Sequence, residues 1–164
     1  MIGDQIADQI ANQIAKLTRS VDAFERCVAS LDEGAFLKPL RRWTPRDIVA
    51  HLVGWNRHVI EGSRQILKGE LPFYDVDPGE DFANVNAHLI SDYPSKDRDE
   101  LLEELRSTER ELTAFLRSVD ESAWGRDFGV RNKGATITVR NTVDDLIADY
   151  AHHQNQLTAL PHSK

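Results

Sequence analysis

Ile6, Ile10, Ile14, Leu17, Val21, Phe24, Val28 and Leu31 follow one another at steps of three or four residues, with Gln, Asp, Asn, Lys, Arg and Glu between them. Apolar residues at that spacing fall on one stripe of an α-helix, so the N-terminal stretch predicts a long amphipathic helix. Such a stripe is stable only when other elements cover it, which limits the chain to folds that stack helices against it. Cys27 falls at the border of the stripe and reads as a small buried thiol rather than a nucleophile. It is the single cysteine, so no internal disulfide can staple the fold.

Further helices follow from capping signals. Thr44-Pro45-Arg46-Asp47 places a capping side chain, a proline at the first helical position and a carboxylate three residues past the cap. Ile48, Leu52, Trp55, Val59 and Ile66 then mark the inner face of a second helix, which Lys68-Gly69 should stop. Asp77-Pro78-Gly79-Glu80 predicts a short helix carrying Phe82, Val85 and Leu89, ended by the turn at Tyr93-Pro94-Ser95. From about Asp97, the residues Leu101, Leu105, Leu112, Phe115 and Val119 mark another long helix, with acidic residues in its first turn. Thr138 caps a last one bearing Val139, Val143, Leu146, Tyr150 and Leu157 and running to Leu160-Pro161. Leu31 to Trp43 reads as an irregular connection and Gly125 to Gly134 as a polar loop, with Ala135-Thr136-Ile137 briefly extended and no strand pair expected. The expected fold is all-α: a four-helix bundle with crossover connections and one short additional helix, residues 1–164 forming one domain.

The charge balance sets expectations about partners. Against 27 Asp+Glu there are 20 Lys+Arg, a formal charge of −7. This argues against nucleic acid or an anionic membrane surface as the main partner, since both call for a basic footprint. No apolar run approaches the roughly 18 residues that span a bilayer. The stretch up to Ile14 is neither cationic nor continuously apolar, so no secretory leader is expected and the cytoplasm is the expected location.

Histidines offer the chemistry. His51 lies among Ile48, Leu52 and Trp55 on the inner face of the second helix, and His153 continues the inner series Leu146, Tyr150 on the last. Asp149 precedes His153 by four residues, a spacing that puts both side chains on one helix face. Two imidazoles and a carboxylate would make a three-ligand site for Zn, Ni, Fe or Mn, with positions open to water or substrate. The same residues also describe a hydrogen-bonded core histidine and a plain Asp–His pair. His152 rivals His153 at a spacing of three from Asp149, although the apolar series favours His153 as the inward one. His58 returns to the face of His51 after seven residues and could carry protons beside the site. Trp55 could wall a pocket and Tyr150 could add a hydroxyl, or both could fill the core. Asp144 or Asp145 could back a ligand imidazole. Asn84 and Asn86 could line a pocket mouth. Arg57, Arg64, Arg131 and Lys133 could meet the carboxylates of a thiol cofactor. His88 and His162 carry no assignment.

The run Trp43-Thr44-Pro45-Arg46-Asp47-Ile48-Val49-Ala50-His51-Leu52-Val53-Gly54-Trp55 and the run Asp149-Tyr150-Ala151-His152-His153-Gln154-Asn155-Gln156-Leu157 resemble the DinB-like superfamily. These are metal-binding four-helix bundles that include mycothiol- and bacillithiol-dependent transferases and isomerases. The resemblance matches His51 to the family's first ligand histidine and His153, with Gln156 three residues on, to its last. Asp149 stands where the family usually has a histidine. The resemblance implies a divalent metal ion, a low-molecular-weight thiol as cofactor, a small-molecule substrate and a homodimer. Thiol transfer, thiol-assisted isomerisation or hydrolysis of an electrophile would follow. A weaker likeness to antibiotic self-resistance members of the family, and Asp149 itself, imply the alternative: a non-catalytic small-molecule-binding or resistance protein with a degenerate metal site.

Overall fold

The computed structural model describes residues 2–95 and 97–160. Pro161 and His162 lie outside them. Four long helices carry the architecture: α1 (Ile2–Ala29), α3 (Pro45–Leu67), α5 (Arg98–Ser118) and α7 (Val139–Thr158). Three short ones, α2 (Glu33–Phe36), α4 (Ala83–Ser91) and α6 (Glu121–Trp124), sit in the connections. Around the bundle α1 packs on α7, α7 on α3, α3 on α5 and α5 back on α1. Helices α1 and α3 therefore stand at opposite corners, as do α5 and α7, and the chain crosses the bundle twice to reach them.

Each crossover is anchored by a buried aromatic ring. On the first, Asp32 caps α2 and α2 buries Phe36. On the second, α6 buries Trp124, whose Nε1–H donates to Gln13 Oε1 of α1 at 2.6 Å. Helix α2 stands where the sequence reads as irregular chain, and α6 just before the polar loop, in residues for which the sequence predicts no element, because each is only four residues long and shows no periodicity. The second crossover also holds an antiparallel strand pair, Arg131–Asn132 (β1) with Ala135–Thr136 (β2), where none was expected. Lys133 and Gly134, with φ of 51° and 82°, close it as a two-residue turn.

The core consists of the predicted stripes. Ile10, Ile14, Leu17, Val21, Phe24 and Val28 of α1 are buried, Cys27 is partly covered beside them, and α5 contributes Leu101, Leu105, Leu112 and Leu116. A polar chain runs through this core. Tyr150 Oη donates to Asn56 Oδ1 at 2.8 Å and Asn56 Nδ2 donates to Thr108 Oγ1 at 3.0 Å, joining α7, α3 and α5. Burial pushes the Tyr150 hydroxyl up, so it stays protonated and donates.

Helix α3 begins with a reciprocal capping box. Asp47 N–H donates to Thr44 Oγ1, and Thr44 N–H donates to Asp47 Oδ2, both at 3.1 Å. It ends on Gly69, φ 77°, where Gly69 N–H reaches Ile66 O and Glu70 N–H reaches Gln65 O. Helix α4 lies across α3, with Leu89 in the space that a side chain at Gly54 would fill. Arg46, in the first turn of α3, holds the far end of α4 through Nε to Ser95 O at 3.0 Å and Nη1 to Ile90 O at 3.2 Å.

The start of α4 differs from the expected capped helix. Glu80–Phe82 forms a 3-10 turn, and Asp81 and Phe82 adopt left-handed backbone, φ 52° and 60°, before the helix begins at Ala83. Non-glycine residues in that region cost about 1–3 kcal/mol each. The break turns the Phe82 ring onto Trp55, centroids 5.4 Å apart.

Tyr74 packs just as closely on Gly62, where an added Cβ would meet its Cε1 at 2.5 Å and its hydroxyl at 2.7 Å. Alanine within a helix normally gains about 1 kcal/mol over glycine. Here it must displace a rigid ring, and overpacking costs about 1–3 kcal/mol. Gly62→Ala is therefore expected to lower the urea midpoint at an unchanged m-value, and a raised midpoint would show that Tyr74 moves freely.

Candidate metal centre

His51, Asp149 and His153 meet at the seam between α3 and α7. Their ligand atoms all lie within 4.8 Å of one another, and the two imidazole centroids are 5.2 Å apart. His51 Nε2 lies 2.8 Å from Asp149 Oδ2, and His153 Nε2 lies 3.2 Å from Asp149 Oδ1. Both rings are buried and Asp149 is half-buried. Helical periodicity places them. His153 takes its turn in the buried series Val143, Leu146, Tyr150, His153, Leu157, and Asp149 sits one turn back on the same face.

The far nitrogen of each ring decides what the near one can do. Trp55 Nε1–H, which can only donate, gives its hydrogen to Asn86 Oδ1 at 2.8 Å. That sets the orientation of the Asn86 amide. The same oxygen lies 2.9 Å from His51 Nδ1, so Nδ1 is the donor there. Gln156 Oε1, on an exposed side chain, accepts from His153 Nδ1 at 2.8 Å, without a second donor such as Trp55 to set its amide. In the neutral rings each Nε2 then carries its lone pair, and both are aimed at Asp149. Donor atoms around a divalent ion stand about 3 Å apart when their bonds are about 2.0–2.2 Å. Two Nε2 lone pairs and a carboxylate at these separations fit such an ion.

Without an ion, hydrogens on Nε2 bridge to the carboxylate. Burial alone would raise the Asp149 pKa, but hydrogen bonds from His153 and His51, and their charge, outweigh it and hold the carboxyl well below the usual range. Trp43, from the chain before α3, covers one side of both rings at centroid distances of 5.0 Å from His51 and 6.1 Å from His153.

Two hollows flank the trio and share His51, Asp81, Asn86, Asp149 and His152 in their walls. One, of about 500 Å³, is walled by Trp55, Tyr74, Phe82 and Leu146 and carries Asp75, Asp81 and Asp145. The other, of about 830 Å³, is lined by Trp43, His153 and Gln156 together with Arg41 and Arg42. Neither arginine forms an ion pair with a described residue.

The remaining residues singled out from the sequence take varied places. His152 is exposed on the rim of both hollows. His58 stands away from the trio, stacked on Tyr74 and edge-on to Phe73, with burial lowering its pKa against the pull of Asp92. Tyr150 turns its hydroxyl into the bundle. The imidazoles are backed by the amides of Asn86 and Gln156, whereas Asp144 accepts from Gln13 Nε2 and Asp145 lines the aromatic hollow. Asn86 is buried and Asn84 exposed. Arg57, Arg64 and Arg131 are paired with Glu104, Glu61 and Asp127, and none of them lines either hollow. Sequence reasoning missed Arg41, Arg42 and Tyr74 and gave Asn86 too small a part. The signal for Asn86 was its position between Phe82 and Leu89 at steps of four and three.

The fold and the site bear comparison with known proteins. No curated protein matches the chain. Among solved structures, the colibactin self-resistance protein ClbS in complex with a dsDNA is similar at TM-score 0.76 and 15% identity, over 94% of this chain and 96% of that one. The mycothiol-dependent maleylpyruvate isomerase is similar at TM-score 0.71 and 19% identity, over 92% of this chain but 61% of that one. A Streptococcus pneumoniae protein is similar at TM-score 0.72 and 15% identity, over 91% of this chain and 88% of that one. The first of these corrects an expectation. The net negative charge argues against nucleic acid as the main partner, yet a protein of this fold is solved with DNA. Net charge sums over the whole surface, whereas contact with phosphates depends on local groups. The family model of the DinB superfamily matches residues 16–157, and across that span, which holds all three candidate ligands, the chain belongs to the DinB superfamily.

Proposed function

We propose that the protein is a divalent-metal-dependent enzyme acting on a small electrophilic substrate, by thiol transfer, thiol-assisted isomerisation or hydrolysis. His51, Asp149 and His153 would hold the ion. The observation that carries this reading is the pair of outward hydrogen bonds, His51 Nδ1–H to Asn86 and His153 Nδ1–H to Gln156, which turn both Nε2 lone pairs toward one carboxylate. A bound divalent ion, Zn, Ni, Fe or Mn, supplies Lewis acidity and lowers the pKa of a coordinated water or thiol toward neutrality. The chain's own residues do the rest. Asn86 and Gln156 lock the tautomers, Trp43 keeps water from one side of the rings, and the two hollows receive the reactants. His152, on the rim of both, is placed to move a proton at its ring nitrogens. The likeness to a mycothiol-dependent isomerase supports a thiol as co-substrate.

A second reading draws on Asp149. Its carboxylate reaches both imidazoles, so the trio can close on itself without an ion, as a non-catalytic small-molecule-binding or resistance protein requires. The ClbS likeness supports this reading and brings double-stranded DNA in as a candidate partner. Contact with phosphates would then run through Arg41 and Arg42. Retention of a labelled duplex that falls steeply with salt and is lost in Arg41→Gln/Arg42→Gln would assign that role.

Metal analysis separates the two readings. The purified protein is expected to hold close to one divalent ion per chain, and His153→Ala to lose it together with the rise in melting temperature that added metal gives. A melting temperature indifferent to Zn²⁺, Ni²⁺ and Mn²⁺ would overturn the enzymatic reading. Asn86→Leu leaves all three ligands in place but frees the His51 ring. It is expected to weaken metal affinity about 10–100-fold, the usual effect of losing the partner that orients a ligand. Competition with a chromogenic chelator measures this, and an unchanged affinity would remove Asn86 from the site.

A further inference from the structure

The two hollows beside the trio differ in chemistry. The smaller has three aromatic rings in contact, Trp55 with Tyr74 at 5.0 Å and Trp55 with Phe82 at 5.4 Å. No lysine or arginine lines it, while Asp75, Asp81 and Asp145 do. None of these three carboxylates forms an ion pair or accepts a side-chain hydrogen bond among the described residues, in contrast to Asp127, which holds Arg131 through both oxygens. Exposed carboxylates usually remain solvated and need no partner. Asp75 is half-buried against the cavity, and its carboxyl is raised above the usual range, first by burial and then by the charge of Asp145, with Lys133 pulling it back. Asp145 and Asp81 are more exposed, and Asp145 is raised in the same direction by partial burial and by Asp144. At Asp75 negative charge is thus held at the wall of an apolar cavity at a cost in stability, and no lysine or arginine lines that cavity.

Aromatic faces and carboxylates suit one class of ligand in common. A cation is attracted to the ring faces and to the carboxylates alike, and an apolar body fills the remaining space. A cavity of about 500 Å³ has room for a compact molecule of that kind. An anion would meet like charge there with no lysine or arginine to offset it, whereas the other hollow sets Arg41 and Arg42 against Glu80 and Asp81.

We propose that the aromatic hollow takes a substrate bearing a protonated amine or quaternary ammonium on an apolar body, its charge met by Asp75 and Asp145 and its body by Trp55, Tyr74 and Phe82. This names a substrate class for one of the two hollows proposed above to receive the reactants, and rests on that reading. The amine has its own contacts in the hollow and can bind with the ion present or absent, so the two can fail separately.

The test compares three probes of one shape on the full chain: 2-phenylethylammonium, 2-phenylethanol and 3-phenylpropanoate. Each is titrated by calorimetry, with metal loaded and again after chelation. The ammonium is expected to bind at least about tenfold tighter than the alcohol in both states, with the advantage shrinking as salt is added, and the carboxylate weakest of all. Asp75→Asn/Asp145→Asn is expected to cut the ammonium's advantage over the alcohol several-fold, leaving what the rings and Asp81 supply, while metal content stays as it was. Equal binding of ammonium and alcohol on the unaltered protein would overturn the proposal, as would an advantage undiminished in the double variant.

The stability of Asp75→Asn gives a second readout that does not depend on ligand. A carboxyl whose folded pKa is raised destabilises the fold once it ionises, from the ordinary carboxylate range upward, and has no effect below that range. The variant is therefore expected to melt higher than the parent at pH 7 and at the same temperature near pH 3. A lower melting temperature at pH 7 would show that the Asp75 charge is satisfied within the fold, contrary to the proposal.

Discussion

The hydrogen bond from Trp55 Nε1 to Asn86 Oδ1 settles more of the site than any contact with the candidate ligands themselves. An amide offers either face equally well, and a histidine offers either tautomer. An indole N–H can only donate, so it leaves Asn86 one orientation and His51 one tautomer. The lone pair on Nε2 follows from a residue that never touches Asp149. Helix α4, which carries Asn86, is short and would not hold its place alone. It is pinned by Leu89 against Gly54 and by Arg46 at its C-terminal end. The left-handed residues Asp81 and Phe82 let the preceding chain fold back onto Trp55, so one indole receives the ring of Phe82 on one side and orients the amide on the other.

The crossover topology explains why a site forms at this seam. Two crossings of the bundle place α3 beside α7 although they are far apart in sequence, and each carries a polar residue on its buried stripe at the same height. Deeper in the core, Tyr150 donates to Asn56, so the polar groups of the seam sort into two sets. The inner set is a structural chain ending on Thr108. The outer set is the trio, open to the two hollows. Burying a donor without its acceptor costs about 1–3 kcal/mol, so the tyrosine hydroxyl stays with Asn56, and the trio is left to be joined by bridging hydrogens or by an ion.

Much of this was legible in the sequence because it repeats. The stripes of α1, α3, α5 and α7, the Thr44–Asp47 capping box and the stop at Gly69 all rest on periodicity or on local hydrogen bonds that a few adjacent residues decide. The meeting of His51, Asp149 and His153 could be read because all three lie on or beside an apolar stripe. The short helices α2 and α6 could not, since Phe36 and Trp124 are single anchors with no repeat around them. The left-handed break at Asp81 and Phe82 was hidden for another reason: it is held by contact with Trp55 in a distant helix, against local preference. Arg41 and Arg42 look like ordinary solvated charge until the fold brings α7 beside them. The DNA exclusion failed on the same distinction, since a sum of charges carries no information about where the charges stand.

Asp149 gives the site a property that a third imidazole would not. A histidine in that position would offer a neutral lone pair and would need an ion, or a proton of its own, to stand among two others. A carboxylate instead attracts hydrogens on the Nε2 atoms of His51 and His153, so the trio has a well-bonded state without any ion. Those same hydrogen bonds, with the charge of the two rings, hold the carboxyl low against the effect of burial. An entering cation must therefore displace those bridging hydrogens and compete with protons for the site, which couples metal binding to pH more tightly than coordination by a preformed neutral set. In return, the loaded site keeps one positive charge rather than two and sits beside a hollow lined with carboxylates. With an ion bound as proposed, that balance would favour harder metals and leave the positive charge of a bound amine less strongly repelled. The carboxylate at this one position would then link the choice of ion to the choice of substrate through charge.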